Sequence, residues 1–238
     1  MEYPNITVIS RSDTEDFLEY VIMHEVGHNW FYGILGTNER DHAWMDEGLT
    51  EFSGIRYWEE KYDKRNGRFI FSELIQDKLG IGKTVDMSYY QYSGYCSGVT
   101  SQDAQPLNIS SDENYFYRNY GKNYSKVSVM MRYLQPYLGE EKLDVIMQDY
   151  YESWKLKHPG PKDFVSFFNK HLDEDINWFF ENMIDSTTYI DYKISKKNGK
   201  YFLENVGSFN AMAEVAYYDG DNQEINRIWV RPKQKQTA

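Results

Sequence analysis

The sequence predicts an α+β chain that is mainly helical and ends in a short β segment. Two patterns carry this prediction. From about residue 13 to residue 184 apolar residues recur at steps of three and four, the period of helices that bury one face. Beyond Ser186 the period drops to two, with Asn-Gly and Asp-Gly at the turns, the pattern of short antiparallel strands. The change of period divides the chain into a helical domain over residues 1–185 and a small β-strand domain, or the start of one, over residues 186–238.

Composition narrows the functional classes. A chain of 238 residues with 41% hydrophobic and 17% aromatic residues can bury a substantial core. Its net charge of -11 and pI near 5.0 exclude nucleic acid and anionic membranes as the main partner, because both need clustered Lys and Arg. The single cysteine, Cys96, excludes an intrachain disulfide and is read as a thiol without chemistry. No apolar run approaches the length of a membrane span, and Met1 is not followed by a signal-like segment, so the chain is expected to be soluble with its compartment left open. "MEYPNITVIS" reads as a strand entering mid-fold, which suggests a piece of a longer natural protein.

The elements follow in order. "NITVIS" at 5–10 is β-branched and predicts a short strand. Ser12 and Glu15 form a capping-box pattern, so a first helix is expected from near Asp13 past His28 to Gly33 and Gly36. A second helix is expected from about Trp44 to Tyr62, and a third from about Phe69 to Leu79. Gly80–Asn123, rich in Gly, Ser, Tyr and Gln, loses the helical period and predicts a long functional loop. Its tyrosines either line a cleft or pack the loop down. Helical spacing returns over 124–138 and 143–154, then in "PKDFVSFFNKHL", with Pro161 at a first helical position, and in "INWFFENMI". Four strands follow: "TYIDYKIS", "YFLENV", "NAMAEVAYY" and "EINRIWV".

The chemistry concentrates in the first two helices. Phe17, Val21, His24, His28 and Phe31 share one helix stripe, which puts both histidines of "HEVGH" on the face toward the core. On the second helix Trp44, Glu47, Glu51, Ile55 and Trp58 repeat in the same way, placing two carboxylates on an apolar face. Buried carboxylates are costly unless paired or bound to metal. His24, His28 and Glu47 in the pattern H-E-x2-H-x18-E therefore supply the His2Glu set of one catalytic zinc ion, with a fourth position for water. Glu51, a turn beyond Glu47, is placed to accept the outer N–H of a ligand histidine. Glu25 lies on the adjacent helix face, within reach of water at the metal, as general base.

"HEVGHNW" followed by "WMDEGLTEF" resembles the zinc site of the gluzincin metallopeptidases of peptidase family M1, the aminopeptidase N and leukotriene hydrolase group. "NYSKVSVMMRYL" resembles the family's "YxKG" helix start, with Tyr124 in the place of the tyrosine that stabilises the oxyanion, Arg132 where an arginine is common, and Val127 where the family usually has glycine. "MEYPN" resembles the end of a "GGMEYPN" variant of the family's "GAMEN" segment. That resemblance makes Glu2 the counterpart of the glutamate that holds the substrate's α-amine, with Tyr3 replacing the usual asparagine.

The resemblance implies a thermolysin-like zinc metallopeptidase catalytic domain over 1–185 followed by a small β domain, without the family's N-terminal β domain and without most or all of the C-terminal domain of longer members. The implied activity is removal of N-terminal residues from peptide substrates: zinc polarises the scissile carbonyl and acidifies its water, Glu25 takes the proton, and Tyr124 with zinc stabilises the oxyanion. The alternatives are a thermolysin-like endopeptidase or an epoxide hydrolase on the same site, or an inactive zinc-stabilised peptide-binding module. A purely structural site would need neither Glu25 nor Tyr124. His42 is read as a loop histidine, and His158 and His171 as structural or surface residues. Asp46 either orients the site or caps a turn.

Overall fold

The computed structural model describes residues 1–12, 14–62, 88–115, 117–231 and 233–234. The predicted third helix, near 69–79, lies outside them. Helix α1 spans Glu15–His28 and runs on through a wider π-helical turn, Asn29–Ile34. A second π-helical turn, Trp44–Gly48, leads into α2, Leu49–Lys61. Then come α3 (Ser88–Val99), a 3-10 turn (Ser111–Glu113), α4 (Tyr117–Leu138), α5 (Glu140–Trp154), α6 (Pro161–His171) and α7 (Asn177–Ile184). Strands β1 (Tyr192–Lys197), β2 (Lys200–Asn205), β3 (Ala213–Tyr218), β4 (Glu224–Val230) and a two-residue β5 (Lys233–Gln234) complete the order.

Three sequence expectations are corrected. The N-cap of α1 is Thr14, whose Oγ1 accepts from Phe17 N at 3.3 Å; Ser12 Oγ instead accepts from Thr14 N in a turn before the helix. Residues 5–10 form no strand: Asn5 turns at φ 66, Ile6 N bonds Tyr3 O and Val8 N bonds Met1 O, so the segment closes on itself. Residues 80–123 are not one long loop, since α3 and the start of α4 fall within them. "SYYQYSGYCSGV" has no aliphatic stripe to announce a helix; its small residues let it lie close to α4, where a Cβ at Gly94 would stand 3.0 Å from Ser125 Cβ.

The core lies among α2 and α4–α7. Trp44, Leu49 and Phe52 meet Val127, Met131 and Leu134 of α4, and Leu143, Ile146, Tyr150, Phe164, Phe168, Phe179 and Phe180 continue the cluster. Each such side chain contributes about 1.5–3 kcal/mol on full burial, so these helices form the rigid frame of the molecule. Arg132 adds an ion pair from α4 to Glu59 of α2, its Nη1 donating to both carboxylate oxygens at 2.9 and 3.0 Å. In the β part, β1 and β2 pair antiparallel with Tyr192 opposite Asn205, joined by a turn with Asn198 and Gly199 both at positive φ, the geometry that favours Asn-Gly. β3 and β4 form a second antiparallel pair with an irregularity at Tyr217 and Tyr218, and β5 adds to β2 in parallel. No helix among the described residues is long and apolar enough to cross a membrane.

Candidate metal centre and active site

α1, the Trp44–Gly48 turn and the start of α4 converge on one pocket. His24 and His28, one helical turn apart, point their Nε2 atoms at each other across 3.1 Å. Glu47 Oε2 stands 3.2 Å from the first and 3.3 Å from the second. These three buried atoms form a nearly equilateral triangle. Two imidazole nitrogens facing each other this closely need a proton or a cation between them. The observed edges match the roughly 3.3 Å ligand spacing of a tetrahedral ion with bonds of about 2.0–2.1 Å. The residues therefore fit a zinc ion.

Each histidine is backed by a second carboxylate. Glu51 Oε2 lies 3.3 Å from His24 Nδ1, somewhat off the N–H line, and Glu51 Oε1 accepts from Gln91 Nε2 at 2.9 Å. Asp46 Oδ1 lies 2.5 Å from His28 Nδ1, with both side chains almost fully buried. This is the arrangement that orients ligand histidines and raises their basicity. Asp46, which the sequence leaves between two readings, has its side chain facing His28 inside the pocket. The π-helical winding of Trp44–Gly48 lets the consecutive residues Asp46 and Glu47 both face inward. The other π-helical turn, Asn29–Ile34, is followed by Gly36, at φ 69, where the His158 ring packs and its Nδ1 bonds Gly36 O at 2.8 Å, away from the cluster.

Electrostatics follow from the same contacts. Burial opposes the charged form of His24, but Glu47 and Glu51 outweigh it and hold the imidazole at about 9. Burial likewise opposes charge on His28, and Asp46 and Glu47 raise it to about 10. Burial lifts the Asp46 carboxyl to about 6 despite its bond to His28. Glu47 is held far below the usual carboxylate range: burial works the other way, and the two histidines and Tyr124 overcome it.

The remaining predicted residues meet at this cluster. Oxygens of Glu2 and Glu25 and a nitrogen of His28 lie within 4.8 Å of one another. Glu2, Glu25, His28 and Tyr32 line a cavity of about 490 Å³. The backbone nitrogen of Met1 sits 2.5 Å from Glu25 Oε2 and 3.5 Å from Glu2 Oε2. The Tyr124 hydroxyl donates to Glu47 Oε1, and its ring stacks on His24 at 5.7 Å. Burial, followed by the Glu47 charge, keeps this phenol protonated.

His42 is not among the groups that converge, and His171 bonds Phe167 O within its own helix. Sequence reasoning missed Gln91 and Tyr120, whose hydroxyl donates to Glu47 Oε1 at 3.3 Å. Tyr120 precedes Tyr124 by one helical turn, and that spacing alone could have drawn attention to it.

The fold and this pocket define a mainly helical protein whose two histidines and one glutamate form a metal-type cluster. The peptidase family M1 domain matches residues 5–183, and the chain belongs to that family. Its relatives include rat glutamyl aminopeptidase, 25% identical over 196 residues that cover 81% of this chain and 19% of that protein. Human aminopeptidase Q is 22% identical over 214 residues, covering 82% and 20%. The chain thus spans about a fifth of the length of these relatives. Among solved structures, a Deinococcus radiodurans M1 zinc metallopeptidase variant bound to a Tyr-Ser-Ala substrate superposes with a TM-score of 0.55, at 12% identity, over 75% of this chain and 34% of that one. Legionella pneumophila aminopeptidase A in complex with aspartic acid gives 0.57 at 16% identity, over 90% and 23%.

Proposed function

We propose that this chain is the catalytic part of a zinc-dependent aminopeptidase, with a thermolysin-like unit over 1–185 and a small β domain over 186–238. The observation that carries this reading is the triangle of His24 Nε2, His28 Nε2 and Glu47 Oε2, with edges of 3.1–3.3 Å, beside the carboxylates of Glu25 and Glu2. The curated relatives named above are aminopeptidases, which supports exopeptidase over endopeptidase action.

His24, His28 and Glu47 hold the zinc, while Glu51 and Asp46 fix the two imidazoles. A zinc ion bound here supplies Lewis-acid chemistry, polarising the scissile carbonyl and acidifying water. Glu25 takes a proton from the attacking water on its carboxylate and hands it to the departing amine. The Tyr124 hydroxyl turns from Glu47 Oε1 and donates to the developing oxyanion. Glu2 accepts hydrogen bonds from the substrate's α-ammonium, which sets the cut one residue from the N-terminus.

The test is hydrolysis of an aminoacyl-coumarin and of its N-acetylated counterpart by wild type and Glu25→Gln. Wild type is expected to cleave only the free-amine substrate, and Glu25→Gln to lose at least about a hundredfold in kcat, the span of general-base catalysis. Equal cleavage by both proteins would refute the role of Glu25. Preference for the acetylated substrate would refute that of Glu2.

A further inference from the structure

Glu47 carries two jobs on two oxygens. Oε2 faces the two imidazole nitrogens, while Oε1 accepts hydrogen bonds from two phenols of α4, Tyr124 and, at 3.3 Å, Tyr120. The two rings lie one helical turn apart, edge to face at 6.1 Å. A carboxylate oxygen has lone pairs for both donors, so the two phenols hold it together.

The proposed catalytic cycle takes one of these two donors away. When the Tyr124 hydroxyl turns to an oxyanion, Glu47 loses one donor while remaining buried, with only 6% of its surface exposed. A buried acceptor left without a donor is costly, and the carboxylate would relieve that cost by turning Oε1 toward the cation. Tyr120 is the donor that stays. Its hydroxyl reaches Oε1 as a separate donor, at 3.3 Å.

We infer that Tyr120 is a positioning residue for the metal ligand: it holds Glu47 Oε1 so that Oε2 alone is presented to zinc, which leaves Tyr124 free to serve the substrate. This rests on the zinc reading above. It assigns the two phenols different work although they share one acceptor. Tyr120 governs how well the metal is held, and Tyr124 governs turnover.

Competition of the metal-free full chain against a chromophoric zinc chelator separates the two. Tyr120→Phe is expected to weaken zinc binding by about ten- to a hundredfold, the usual effect of removing a partner behind a ligand, with the melting temperature of the metal-free protein unchanged. Tyr124→Phe is expected to keep zinc affinity within about threefold of wild type while kcat of the zinc-saturated enzyme falls by about a hundredfold or more. Tyr120→Leu, which also removes the donor but repacks the site differently, should reproduce the zinc loss. Wild-type zinc affinity in a folded Tyr120→Phe or Tyr120→Leu overturns the inference, as does a loss accompanied by an equally lowered metal-free melting temperature. A wild type that binds no zinc overturns the metal reading itself, and the inference with it.

Discussion

Gly48→Ala tests how tightly the turn that carries Glu47 is fitted to the helix that carries Tyr124. A Cβ at Gly48 would stand 2.3 Å from Val127 Cβ, 2.5 Å from Asn123 O and 2.5 Å from Val127 Cγ1. Carbon contacts settle at about 3.5–4.0 Å, so the Trp44–Gly48 turn and α4 must separate by about 1 Å. Neither neighbour can swing aside, because Asn123 O is backbone and Val127 is fully buried. Overpacking of this kind costs about 1–3 kcal/mol, which lowers the melting temperature of a chain this size by about 4–8 °C for a cost near 2 kcal/mol. The same displacement moves Glu47 relative to Tyr124, and a 1 Å misplacement is enough to cost about a hundredfold in rate. Calorimetric melting of the metal-free variant measures the first effect and turnover of an aminoacyl-coumarin the second. Gly121→Ala is the control, since nothing stands within 4 Å of its Cβ and Gly to Ala in a helix gains about 0.5–1 kcal/mol. A Gly48→Ala protein that melts within a degree of wild type would refute the close approach.

Three further outcomes follow from the same contacts. Asp46→Asn should weaken zinc binding by about ten- to a hundredfold while the zinc-saturated variant stays folded by circular dichroism; unchanged affinity in chelator competition would show that the Asp46–His28 contact does not tune the ligand. Thr14→Ala should destabilise by about 1 kcal/mol in urea unfolding, whereas Ser12→Ala should cost less, and the reverse order would restore the Ser12–Glu15 box. Burial, aided by the nearby charge of Lys122, lowers the Lys126 ammonium to about 7. Below that pH it is charged in both folded and unfolded chains; above it, up to the ordinary lysine range, the unfolded chain holds a proton that the folded chain has released, so stability rises with pH. The melting temperature of wild type should therefore gain on that of Lys126→Met between pH 6 and pH 9, and parallel curves would contradict the shift.

The part of the site that follows helical arithmetic was legible in the sequence. His24 and His28 sit four apart on one stripe, and Glu47 and Glu51 repeat that spacing on the next, so the triangle and the Glu51 contact behind His24 could be read directly. Asp46 could not be assigned, because counting 100° per residue puts it on a different face from Glu47. The wider winding of Trp44–Gly48 breaks that count. Helix α3 was hidden for another reason: its residues are tyrosines, serines and glycines, whose packing against α4 depends on close approach rather than on an aliphatic stripe. Gln91 reaches Glu51 from that unannounced helix. The strands were legible because alternation and the Asn198–Gly199 turn act locally. The expected strand at 5–10 was not realised, since β-branched residues favour a strand only where a partner accepts their backbone, and here the segment bonds to itself.

Metal content tests the central claim most directly. Wild type and Glu47→Gln, purified alike and dialysed against trace zinc, would be analysed by plasma mass spectrometry. About one zinc per chain in wild type and little or none in Glu47→Gln is the predicted result, because His24 and His28 alone leave a tetrahedral site one protein ligand short. Equal zinc in both proteins would contradict the assignment of Glu47, and with it the catalytic centre described here.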